Sequence, residues 1–107
     1  MVLAYKSKGV KMIGVYVVVN VKAASVAKFE EILKIIVPAS QKDKGCINYE
    51  CGAIVGQNGA YAFLEIWQSL QDQKDHMNSP HMRENAAALA RCYDGEPQIN
   101  FINLVRN

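Results

Sequence analysis

Apolar residues dominate Ile13 to Val21 (I-G-V-Y-V-V-V-N-V), a stretch too short and too rich in β-branched side chains for a stable helix. It predicts a first strand, with Val15, Val17, Val19 and Val21 on one face and Tyr16 and Val18 on the other. The period then changes. Val26, Phe29, Ile32, Leu33 and Ile36 fall on one helical stripe with Lys28, Glu31 and Lys34 outside it, and Ser25 stands where an N-cap is expected. Pro38 should bend or break that helix, because it lacks the N–H for the carbonyl of Lys34 and its ring crowds the preceding turn. Gly45 reads as the stop.

The second half repeats the order. Ile47 to Val55 and Ala60 to Gln68 read as strands joined by the turn-forming Gly56-Gln57-Asn58-Gly59. Ser69-Leu70-Gln71-Asp72 has the form of a capped helix start. Ser79-Pro80 opens a second segment that runs through the alanines to about Cys92, with Pro80 at the first helical position. After the turn Asp94-Gly95-Glu96-Pro97, Gln98 to Val105 reads as a fourth strand. Two successive βαβ units predict an α+β ferredoxin-like fold, one antiparallel sheet with helices on one face. The other face of that sheet carries apolar residues and needs a cover, for which a second copy of the chain is the simplest candidate.

Composition narrows the class of protein. With 107 residues, half of them hydrophobic, the chain makes one domain with a small core. Twelve basic and ten acidic residues are scattered, so no nucleic-acid partner is expected. No apolar run approaches a membrane span. Cys46, Cys51 and Cys92 are an odd set without C-x-x-C spacing, which fits buried thiols in a reducing, cytoplasmic compartment. Residues 1–11 carry Lys6, Lys8 and Lys11 without the pattern of a secretory signal. They read as an N-terminal extension to a domain over 12–107, with Met12 an alternative start.

Candidate chemistry gathers between Phe63 and Met82 (F-L-E-I-W-Q-S-L-Q-D-Q-K-D-H-M-N-S-P-H-M). Strand parity puts Phe63, Glu65 and Trp67 on one face, and a carboxylate beside an indole on a buried strand needs a partner. Trp67 suits either a platform for a flat aromatic ring or ordinary core packing. Glu65 suits a site group or a structural carboxylate that caps a helix or pairs with Arg83 or Arg91. His76 is the candidate base, since histidine alone changes charge near neutral pH without an unusual environment. His81, at a helix start, has its charged form disfavoured by the dipole. Asn20, Tyr49 and Tyr61 could line a cavity, although the tyrosines also fit cross-strand packing. There is no G-x-G-x-x-G after the first strand, no P-loop, no nucleophile elbow, and no i, i+4 histidine pair with a third ligand. A nicotinamide, nucleotide or metal enzyme is therefore not expected.

Together with Gly45-Cys46-x-x-Tyr49, the Phe63–Met82 stretch resembles the antibiotic biosynthesis monooxygenase family, which includes quinol monooxygenases, over roughly Ile13 to Val105. The resemblance implies a homodimeric α/β barrel that uses neither organic cofactor nor metal. It implies a small phenolic or quinol substrate oxidised by dioxygen, because such a compound can reduce dioxygen itself once deprotonated. In this sequence the implied roles are Trp67 as platform, His76 as base, and Glu65 and Asn20 as orienting groups. Tyr49, Tyr61, Phe63 and His81 would complete the substrate pocket. A haem-degrading branch of the family places an asparagine early in the first strand, a tryptophan on the short helix and a histidine further on. Here the corresponding residues are valine or tyrosine, His76 and Ala86. A branch acting on phosphorylated sugars would need a phosphate pocket, for which only Arg83 and Arg91 are at hand. The contrasting reading is a dimeric ligand-binding or stress-response barrel without turnover.

Overall fold

The structure is a computed structural model that describes residues 11–105; most of the expected N-terminal extension lies outside the described residues. Strand β1 (Ile13–Asn20) leads through a 3-10 turn (Ala23–Ser25) into α1 (Val26–Gln41). There follow β2 (Cys46–Ala53), β3 (Ala60–Trp67), α2 (Leu70–Met77), α3 (Pro80–Cys92) and β4 (Gln98–Asn103). The strands form one antiparallel sheet in the order β2-β3-β1-β4, the ferredoxin-like α+β arrangement. Among the described residues, no helix is long and apolar enough to cross a membrane.

Register decides which side chains meet. Val15 pairs with Glu65 on one side and Phe101 on the other, and Val17 with Phe63 and Ile99. All six therefore share the face covered by the helices. Phe29, Ile32 and Ile36 of α1 pack there with Val15, Val19, Tyr49, Tyr61, Phe63 and Trp67. Phe29 meets the edges of Tyr61 and Phe63, at centroid distances of 4.8 and 6.4 Å. The opposite face, with Tyr16, Leu64 and Ile102, is left exposed.

Several local expectations change. Pro38 neither breaks nor ends α1, which continues to Gln41. The proline is exposed, so the carbonyl deprived of its N–H is on the solvent side. Ser25 makes no capping bond, its own N–H instead closing the 3-10 turn on the Lys22 carbonyl at 2.8 Å. Ser69 caps α2 as predicted, accepting from the Asp72 N–H at 3.1 Å. Ser79 caps nothing; its hydroxyl donates back to the carbonyl of His76 at 2.6 Å and ties α2 to α3. Gly45 holds φ +80°, and a Cβ there would lie 2.1 Å from the Asp72 carboxylate. The turn into β2 therefore admits only glycine.

Candidate functional site

Between the helix-side face of the sheet and the α2–α3 pair lies a cavity of about 660 Å³. Val15, Val17, Phe63, Ile99 and Phe101 form its floor, Met77, Met82 and Leu89 part of its roof, and Tyr49, Glu65, Gln73 and His76 its polar points. Volume and lining suit a small, largely apolar ring system with few polar substituents.

Glu65 and Trp67 meet as parity requires. The indole Nε1–H donates to Glu65 Oε1 at 2.9 Å, and both side chains are buried. Burial pushes the Glu65 carboxyl up to about 7, and the indole hydrogen bond only partly offsets this. Among the described residues it has no arginine partner, so the expected pairing with Arg83 or Arg91 is absent. Trp67 itself is fully buried and does not line the cavity. It backs His76, with ring centroids 4.7 Å apart and planes 34° apart, while Tyr49 approaches the imidazole from another side at 5.1 Å.

His76 sits in the last turn of α2 with its side chain 1% exposed, and its Nδ1 is 2.8 Å from Asp43 Oδ2. A carboxylate only accepts, so the proton of the neutral ring is on Nδ1 and a lone pair is left on Nε2. That nitrogen is buried and has no hydrogen-bond partner among the described residues. Burial lowers the pKa of His76, against the opposing pull of Asp43, so the neutral form prevails near pH 7. The arrangement is a base held in one tautomer by a carboxylate and walled by two aromatic rings.

Asp43 is the residue that pattern reading misses. It lies in the α1–β2 loop, and its Oδ2 also accepts from His81 Nε2 at 2.9 Å; that same nitrogen lies 3.1 Å from Ser79 Oγ. Nothing in the spacing of residues 43, 76 and 81 announces their meeting, because only the βαβ crossover brings that loop to the start of α3. His81 stands behind His76 and not on the cavity wall. Tyr61 turns to α1, where its hydroxyl donates to Glu30, and Asn20 is exposed at the end of β1 on the outer face. Of the residues expected at a site, Tyr49, Phe63, Glu65 and His76 line the cavity; Trp67 and His81 support it; Asn20 and Tyr61 lie outside it. Arg83 is exposed and borders the cavity. The thiols are quiet: burial raises Cys46 to about 11 and Cys51 to about 12, both being half-buried, and Cys92 is buried.

Comparison with known proteins agrees with this architecture. A conserved protein from Methanosarcina mazei Go1 superposes with a TM-score of 0.84 at 27% identity, covering 87% of this chain and 92% of that one. A candidate antibiotic biosynthesis monooxygenase from Caulobacter crescentus CB15 gives 0.85 at 26%, covering 91% and 92%. One from Nitrosomonas europaea gives 0.85 at 13%, covering 92% and 94%, a likeness of fold alone. No curated protein matched the sequence. The model of the antibiotic biosynthesis monooxygenase family matches residues 12–88, which contain the cavity floor of β1 and β3, the Gly45 turn and the whole Asp43–His76–His81 cluster, and the chain belongs to that family.

Proposed function

We propose that this chain is a monooxygenase that oxidises a quinol or related phenolic compound with dioxygen, without organic cofactor, and that it works as a homodimer. The observation that carries the reading is His76, which borders a largely apolar cavity and whose buried Nε2 has no hydrogen-bond partner among the described residues. A phenolic hydroxyl is the natural partner for such a lone pair, and its transfer of a proton turns the ring into a phenolate able to reduce dioxygen. Asp43 then faces an imidazolium and stabilises it.

The steps balance without a further reductant. One electron passes from the phenolate to dioxygen, the radical pair joins as a carbon–oxygen bond, and His76 returns its proton to the outer oxygen. Loss of the ring C–H proton with that oxygen as water leaves a carbonyl in place of C–H. Exclusion of water by the apolar floor protects the radical pair. Glu65, with a pKa near neutrality, supplies a protonated carboxyl able to donate to a substrate oxygen.

The test is oxygen uptake with a panel of hydroquinones and naphthols, unmutated protein against His76→Ala. Uptake that requires His76 is expected. Saturable ligand binding with no uptake for any member of the panel would leave a binding barrel in place of an enzyme. The dimer is supported by the exposed apolar outer face of the sheet, and light scattering should give twice the chain mass.

A further inference from the structure

The geometry points to a binding site for a divalent transition-metal ion formed by Asp43, His76 and His81, through which the ion silences the base. One carboxylate oxygen lies 2.8 Å from His76 Nδ1 and 2.9 Å from His81 Nε2, and the three atoms all fall within 4.8 Å of one another. Two imidazoles and a carboxylate suit zinc or iron(II) better than magnesium or calcium, which prefer oxygen. Around a tetrahedral zinc such atoms stand about 3.4 Å apart, so the two oxygen–nitrogen distances open by about half an ångström while the two nitrogens, within 4.8 Å of each other, settle to a similar separation.

The site is also accessible and framed. Asp43 and His81 side chains are 20% and 17% exposed, enough for an ion to enter from solvent, while His76 closes the inner side. Ser79 Oγ, 3.1 Å from His81 Nε2, lies near enough to contribute to the coordination sphere or orient a water in it. The ligands come from a loop and from the facing ends of α2 and α3, which the Ser79 hydroxyl already ties together.

Coordination changes what His76 can do. A metal on Nδ1 needs the lone pair there, so the ring proton moves to Nε2, and the nitrogen aimed to accept becomes a donor. The same exchange applies to His81, where a metal on Nε2 leaves the ring proton on Nδ1. The binding stands on the cluster alone; the silencing rests on the reading of His76 as base.

Chelator-treated protein titrated with Zn²⁺ by calorimetry, and with Co²⁺ by absorption, should take up one ion per chain. Asp43→Asn and His81→Gln should each weaken uptake by about a hundredfold, whereas Cys46→Ser, next to the cluster, should leave it unchanged. In ¹⁵N-labelled protein Zn²⁺ should move the His76 proton from Nδ1 to Nε2, and oxygen uptake should fall in proportion to the ion bound. No saturable uptake, or uptake lost in Cys46→Ser and kept in Asp43→Asn, overturns the site. A loaded protein with the His76 tautomer unmoved, or with full oxygen uptake, overturns the silencing. If the metal-free protein consumes no oxygen with any hydroquinone, the proposed reaction fails, and calorimetry and the tautomer still decide the metal site.

Discussion

Alternate residues of β1, β3 and β4 point to opposite sides of one sheet, and the two sets differ in kind. On the helix side Val15, Phe63, Glu65 and Trp67 are buried in the core, and towards β4 that face opens past Val17 into a cavity bordered by Ile99 and Phe101, themselves 58% and 53% exposed. On the outer side Tyr16, Leu64 and Ile102 remain 39%, 51% and 43% exposed, with Val18 and Ile66 between them. The inner face combines apolar bulk with a carboxyl, an indole and an imidazole, each tied to a named partner. The outer face has apolar bulk and no such constellation. On the proposed function the inner face serves chemistry and the outer face contact between chains, so substitutions on the two should fail in different ways.

The largest effect is expected at His76. His76→Ala should lower turnover by about two to four orders of magnitude while aromatic ligands still bind, read by oxygen uptake at saturation and by Trp67 fluorescence. A loss of binding with turnover at saturation intact would make the imidazole a wall of the cavity, and the inner face would then differ from the outer only in burial.

Next comes Trp67, fully buried against Tyr49 and His76. Trp67→Ala should cost about 3–5 kcal/mol of stability, visible in chemical denaturation. Leu64→Lys, three residues earlier in β3 and on the other side, should instead leave each chain's fold intact and convert the proposed dimer to a monomer by light scattering. If the leucine variant stays dimeric, the exposed face is not the interface.

Glu65 gives a pH test of the inner face. Its pKa is raised from 4.5 to about 7 in the folded chain, so the native state holds this proton more tightly than the unfolded one. Stability from this group is full below about pH 4.5 and is lost as pH rises through 7, on the order of 3 kcal/mol across the interval. His76 runs the other way, because its lowered pKa costs stability as pH falls below its ordinary value. Glu65→Gln should therefore remove the decline in melting temperature between pH 5 and 8. A decline equally steep in the variant would assign it to another group.

How far these features were legible follows from the range of the interactions. Parity along β3 was enough to join Glu65 to Trp67, because their contact spans two residues, and Ser69 announced the start of α2 through a bond to Asp72 three residues on. Pro38 misled because the pattern shows a missing donor but not which side of the helix meets water. Asp43 was invisible for the opposite reason. Its bonds to His76 and His81 span 33 and 38 residues and exist only after the crossover packs. Tyr61 shows the same limit: spacing leaves both a cavity and packing open to it, and α1, by offering Glu30, turns its hydroxyl away from the cavity.

The smallest effect is expected at Asn20, and it sharpens the comparison most. By alternation Asn20 belongs with Tyr16 and Val18 on the outer face; it is exposed, and the cavity lining does not include it. An exposed polar side chain without a buried partner contributes within about 0.5 kcal/mol, so Asn20→Ala should leave melting temperature and oxygen uptake close to those of the unmutated protein. The informative result is a specific one: uptake lowered at saturation while light scattering and denaturation are unchanged. Such a split would mean that the end of β1 orients substrate after all. From the outer face such an effect would reach substrate across the proposed interface, so the division between a face for chemistry and a face for contact would give way to one site shared by two chains.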